Sequence, residues 1–134
     1  MRSKKMLFTF DYELFLGANS GSVENCLLKP TNKVVALLEK FELHGIFFVD
    51  TLYLVRLKEA ARTAPKAATD FKLIQKQLVR LLNGGHCIYP HVHPHWLDAS
   101  YDAELNTWSL QDLSKYRFHS LTEQQRTEAF DQSM

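Results

Sequence analysis

Four of the six histidines, His86, His91, His93 and His95, fall within ten consecutive residues. Neutral imidazole nitrogen binds zinc and similar divalent ions, and a carboxylate oxygen commonly completes a catalytic site that keeps one position open for water. His91 and His95 are four residues apart, which puts two rings on one face of a helical turn and directs His93 elsewhere. Pro94 permits one such turn but no extended helix. The second source of ligands is Asp-Tyr-Glu at positions 11 to 13, whose carboxylates point the same way if the strand they end runs that far. One of them suits a metal ion and the other a general base. A His-rich surface loop and an acidic loop that caps backbone amides are the alternatives without chemistry. His86, beside Cys87 in an apolar run, reads better as a hydrogen-bonded structural group than as a ligand. Cys87 itself reads as buried packing, and His44 as a complement to a helix dipole. Asp50 is accounted for as the N-cap of a helix starting near Leu52. Trp96 either lines a substrate groove or covers the sheet.

These groups need elements that bring distant segments together. Lys5 to Asp11 alternates large apolar residues and reads as a strand with Asp11 at its carboxyl end. Gly45 to Asp50 is a short apolar run ending in another acid, as in a central parallel strand covered on both faces. His86 to Tyr89 is a third short strand leading through Pro90 into the histidine segment. Between the strands, Val34, Leu37, Leu38 and Phe41 recur at helical spacing after a Thr31 cap, with Gly45 as the stop. Leu52 to Arg62 reads as a second helix, broken before Pro65. Asp70 caps a third, with Phe71, Ile74, Leu78, Leu81 and Leu82 along one face as far as Gly84 and Gly85. Such alternation implies βαβ units, a mostly parallel sheet and ligands at the carboxyl ends of its strands. Asp11, Asp50 and the histidines all fall there. Beyond Trp96, Asp98 to Ser114 reads as loop and Tyr116 to His119 as a brief strand. Thr122 with Gln125 forms a capping box, stapled by Leu121, that opens a last helix.

With 134 residues, 46% of them hydrophobic, the chain has apolar material for one core, so a single domain over residues 1–134 is expected. The net charge of +1 provides no field for nucleic acid or an acidic membrane surface. No apolar run approaches the roughly 20 residues that span a bilayer, and no signal-peptide core follows the basic start, so a cytoplasmic location is expected. Cys26 and Cys87 make neither a disulfide framework nor a thiolate zinc site. About four strands are legible, whereas closed barrels of such units need roughly 200 residues or more, so the domain reads as the N-terminal portion of something larger. A sheet left open in this way favours self-association, and a homo-oligomer is expected.

Two motifs carry a resemblance. Thr9, Phe10, Asp11, Tyr12 and Glu13 stand where one family has a strand ending T-F-D-D. Gly85, His86, Cys87 and then His91 through His95 match the spacing of its G-H-E-x-x-x-H-[ST]-x-x-H segment, and Gly45 to Val49 is similar to its second strand. Over residues 5–97 the sequence resembles the polysaccharide deacetylase family, also called the NodB-homology domain. The resemblance implies an incomplete (β/α) barrel-like fold of mostly parallel strands alternating with helices. It makes Asp11 the catalytic base, His91 and His95 metal ligands, and zinc the foremost divalent ion. The substrate would be an acetylated carbohydrate or a small amide, with Trp96 as a candidate substrate-binding residue. Tyr12 stands where the family has its usual acidic ligand, which makes Glu13 the candidate third ligand. Val92 replaces the customary Ser or Thr after the first His. The family's general acid and its base-orienting arginine come from later motifs, and no counterpart follows Trp96. Two other readings remain: an amidohydrolase or phosphoesterase centre using His91-Val92-His93, with His93 as a ligand, and a metal-binding domain without turnover.

Overall fold

The computed structural model describes residues 5–15, 20–110 and 114–133. Its central element is β2 (Ile46–Asp50), flanked by β1 (Thr9–Tyr12) and β3 (Cys87–His91) in a parallel sheet of order β1-β2-β3. Helix α1 (Lys29–Lys40) connects β1 to β2, while α2 (Thr51–Ala60) and α3 (Pro65–Asn83) connect β2 to β3. When consecutive parallel strands lie side by side and every crossover has the same hand, the helices collect on one face of the sheet. Val34 and Val35 of α1 accordingly share a cluster with Leu78 and Leu81 of α3, packed on Phe10, Phe47 and Ile88. The other face carries Thr9, Asp11, Cys87 and Tyr89, all exposed, with the Phe48 and Tyr89 rings 6.2 Å apart. β2 is therefore covered on one face along most of its length, not on both. The result is a mixed α/β fold with a small parallel sheet, and the described strands do not close into a barrel.

Several boundaries differ from those read in the sequence, each for a local reason. The first helical segment starts earlier, through a wide turn over Glu24–Leu28 that runs into α1, so Thr31 is buried inside the helix and does not cap it. Pro65 opens α3 where it was expected only to end α2, since its missing N–H falls among the amides that have no helical partner. Asp70 then lies inside α3, paired with Lys66 one turn back. The stretch read as loop folds into an antiparallel hairpin of β4 (Ala99–Asp102) and β5 (Thr107–Leu110), while residues 111–113 lie outside the described residues. Asp102 Oδ1 accepts from the amides of Glu104 and Leu105 at 2.8 and 2.9 Å, and Asn106 takes a positive φ of 53°, as tight turns require. In place of the brief strand expected at Tyr116 to His119 there are two short 3-10 turns, Ser114–Tyr116 and Phe118–Ser120. Cys87 is exposed where burial was expected, because it falls on the uncovered face. The capping box forms as read: the Thr122 amide donates to Gln125 Oε1 at 2.9 Å, the Gln125 amide donates to Thr122 Oγ1 at 3.3 Å, and α4 (Glu123–Ser133) follows. No helix among the described residues is long and apolar enough to cross a membrane.

His86 ties α3 to the start of β2. It is 4% exposed, and its Nδ1 accepts from the Gly45 amide at 3.1 Å, so the ring is held neutral with its proton on Nε2. Burial and the neighbouring His44 push its pKa below the ordinary imidazole value, against a weaker opposing effect of Glu39. This contribution to stability is complete above about pH 6.5 and declines as the pH falls below that, because the unfolded chain then binds the proton more readily. Asparagine at this position offers an acceptor oxygen and does not titrate. Thermal unfolding followed from about pH 7.5 to about pH 5 should therefore depend less on pH in His86→Asn than in the parent. Identical dependence in the two proteins would remove His86 from this account.

Candidate metal centre

Asp50 ends β2 and caps α2 as expected, but it does more than cap. It is 1% exposed and accepts from the Tyr53 amide at 3.3 Å, from Trp96 Nε1 at 2.6 Å and from His93 Nδ1 at 3.0 Å. An ionised carboxylate only accepts, so His93 carries a proton on Nδ1 and turns Nε2 outward. The parallel register places Asp50 beside His91 of β3. Tyr12 pairs with Val49, so the next residue, Glu13, arrives at the same end of the sheet. Tyr12 faces the helices and donates to Gln77 Oε1 at 2.8 Å, which leaves Asp11 and Glu13 for the other side. After β3 the chain stays extended to His93, and a 3-10 turn over Pro94–Asp98 returns Trp96 beneath Asp50. Helix α2 clamps this segment: Thr51 Oγ1 donates to the His91 carbonyl at 3.1 Å, and Arg56 donates to the carbonyls of Trp96 and Leu97 at 2.8 Å each.

Three ligand-type atoms converge in front of His93. His91 Nε2 and His93 Nε2 are 3.2 Å apart, and Glu13 Oε2 lies 3.4 Å from the latter and 3.8 Å from the former. Ligands of a tetrahedral ion at about 2.0–2.1 Å stand about 3.4 Å from one another, so the three atoms could hold a metal ion. Asp50, His93 and His95 form a second, deeper group with His93 in common. The two ring nitrogens of His95 are buried with no hydrogen-bond partner among the described residues. Its ring stacks between His93, with centroids 5.1 Å apart, and Tyr116, at 5.4 Å. Burial, helped by the adjacent His93, pushes the His95 pKa down to about 4. Burial alone would also lower the pKa of His93. The hydrogen bond and charge of Asp50, followed by the charges of Glu13 and Asp11, outweigh that and raise it. A hollow of 240 Å³ lined by Glu13, Leu14, Phe15, His93, His95 and Tyr116 opens beside the group.

Of the residues singled out from the sequence, Glu13 and His91 are thus brought together, and their third partner is His93. His95 belongs to the deeper group. The helical turn expected to align His91 with His95 is absent: His91 closes a strand, and the 3-10 turn begins only at Pro94. Asp11 is exposed on the uncovered face, opposite Phe48 in the register, and its charge reaches His93. Trp96 is 0% exposed and lies under the site, with its N–H on Asp50. From the sequence His93 is expected as a ligand only in the His-x-His reading, and Asp50 only as a helix cap. The available signal was His-x-His at a strand end, where extended spacing lets the two rings meet at 4.4 Å. No protein-family model matches the chain, and no curated protein or solved structure matches it, so the site is read from its own geometry.

Removing the Asp50 carboxylate strands the buried Trp96 N–H and frees the first turn of α2. Asp50→Ala should lower the unfolding free energy by about 3 kcal/mol in denaturant titration, and Asp50→Asn, which keeps one acceptor oxygen, by less. A loss below about 1 kcal/mol in the alanine variant would show that the three hydrogen bonds do not anchor this end of the sheet.

Proposed function

We propose that this chain is a metal-dependent hydrolase of the polysaccharide deacetylase kind, removing an N-acetyl group from a carbohydrate, with its sheet as one wall of a (β/α) barrel-like fold. The observation that carries the reading is the convergence of His91 Nε2, His93 Nε2 and Glu13 Oε2 within 3.2–3.8 Å at the carboxyl ends of the strands. Two imidazoles and a carboxylate are the donor set of open, catalytic zinc sites. A zinc ion held there would polarise the amide carbonyl and bring the pKa of a bound water toward neutrality. Asp50 keeps His93 Nε2 directed at the ligand position, in the manner of the carboxylates that orient metal-bound histidines. Asp11, exposed on the same face, is the general base that takes the proton of the attacking water. The hollow between Glu13 and Tyr116 receives the acyl part of the substrate.

The same pair of rings separated by Val92 also supports a second reading, a phosphoester or cyclic amide hydrolase built on His-x-His. The deacetylase resemblance implies His95 as the second histidine ligand and this reading His93; with His93 in the ligand group, the two are separated by substrate. Zinc-loaded protein should release acetate from acetylated chitooligosaccharides in a chelator-sensitive reaction. Asp11→Asn should keep its metal and lose turnover by a factor of about 100 to 10,000. Chelator-sensitive cleavage of an aryl phosphate without acetate release would select the second reading. Loss of metal from Asp11→Asn would make Asp11 a ligand and exclude it as the base.

A further inference from the structure

Trp96 touches His95 on one side, with ring centroids 5.4 Å apart, and on the other meets Tyr53 at 4.8 Å and Trp108 at 5.3 Å. Beyond those two rings lies a separate cavity of 290 Å³, at the small end of the range for ligand pockets. Tyr53, Tyr101 and Trp108 line it together with Asp70, Lys66 and Ser22. Tyr53 is 1% exposed, and its hydroxyl has no hydrogen-bond partner among the described residues. A buried hydroxyl left unpaired is costly, so this one asks for a partner that the fold does not provide. Asp70 is 8% exposed; Lys66 engages its Oδ1, while Oδ2 accepts no hydrogen bond from the described residues. The Tyr101 hydroxyl donates to Asn106 Oδ1 at 3.2 Å and keeps lone pairs free to accept. Burial, followed by the charge of Asp70, raises the pKa of both phenols, so both remain protonated.

These groups specify the chemistry of an occupant. Lys66 neutralises Asp70, so a charged ligand would itself lose hydration without gaining an uncompensated partner, and a neutral one is favoured. The free positions include both donors and acceptors, which hydroxyl groups satisfy in either sense. The aromatic rings provide an apolar face: Tyr101 lies 5.0 Å from Trp108 at an interplanar angle of 57°. We propose that this cavity binds a neutral, ring-shaped polyol, a monosaccharide or cyclitol, whose hydroxyls accept from Tyr53 Oη and donate to Asp70 Oδ2 while its C–H face lies on Trp108. The site is independent of the metal centre and stands whether or not that centre is catalytic.

Trp108 lines the cavity and Trp96 borders Tyr53, so intrinsic fluorescence of the full chain reports on occupancy. Titration with glucose, N-acetylglucosamine and myo-inositol should give a saturable change with at least one of them, unaffected by chelator, while gluconate, a charged control, gives none. Tyr53→Phe should weaken that binding about tenfold, the equivalent of one lost hydrogen bond, and Asp70→Asn should weaken it as well. Without ligand, Tyr53→Phe should unfold at a higher temperature than the parent, because it removes an unmade hydrogen bond. Circular dichroism establishes that each variant is folded, and Asp70→Asn carries the test if Tyr53→Phe is not. Absence of a saturable response to all three probes, or unchanged affinity in the folded variants, would overturn the proposal. So would a lower midpoint for Tyr53→Phe, which would assign the hydroxyl a structural water as its partner.

Discussion

A carboxylate buried to 99% of its surface must be compensated by donors, and Asp50 recruits three of them from two separate segments. One is the Tyr53 amide, which fixes the direction in which α2 leaves the sheet. Another is the Trp96 N–H, which draws the segment after β3 back under the strand ends. The third is His93 Nδ1, which turns the outer nitrogen of that ring toward Glu13 and His91. Burying a charge with a single partner would be unfavourable. With three partners the same charge fixes strand, helix and loop in one arrangement.

The remainder of the site follows from sheet register. Parallel pairing places Asp50 level with His91, and the strand before it delivers Glu13 to the same end. Side chains alternate across a strand, so Tyr12 goes to the helical layer and bonds Gln77, while the acids on either side of it face away. The order β1-β2-β3 keeps all the connecting helices on one face. That leaves the other face open, with Asp11, Phe48 and Tyr89 on it. Substrate access and the exposed base in the proposed chemistry both depend on that open face.

Much of this was legible in the sequence, because it rests on local rules. The apolar run Gly45 to Val49 ending in Asp50, the glycine pair after α3 and the Thr122–Gln125 capping box each specify their element within a few residues. Local rules do not decide where a residue type admits two roles. Pro65 reads as a breaker but also suits the first position of a helix, so α3 opens there and not at Asp70. The hairpin at Ala99 to Leu110 is not legible because its strands are only four residues each, stabilised by Trp108 packing on Tyr53 and Trp96 across the molecule. Helical spacing favours His95 over His93 as the partner of His91, whereas the chain from His91 to His93 is extended. Asp50 was fully explained by its cap, and no one-dimensional pattern records that the same side chain also holds an indole and an imidazole from more than forty residues away.

X-ray absorption at the zinc edge of the loaded protein counts the imidazoles around the ion and so distinguishes His93 from His95 as ligand. The account predicts two imidazole nitrogens with oxygen ligands at about 2.0–2.1 Å, one imidazole fewer in His93→Ala and no change in His95→Ala. A first shell unchanged in His93→Ala but short of an imidazole in His95→Ala would contradict it and return the ligand role to His95.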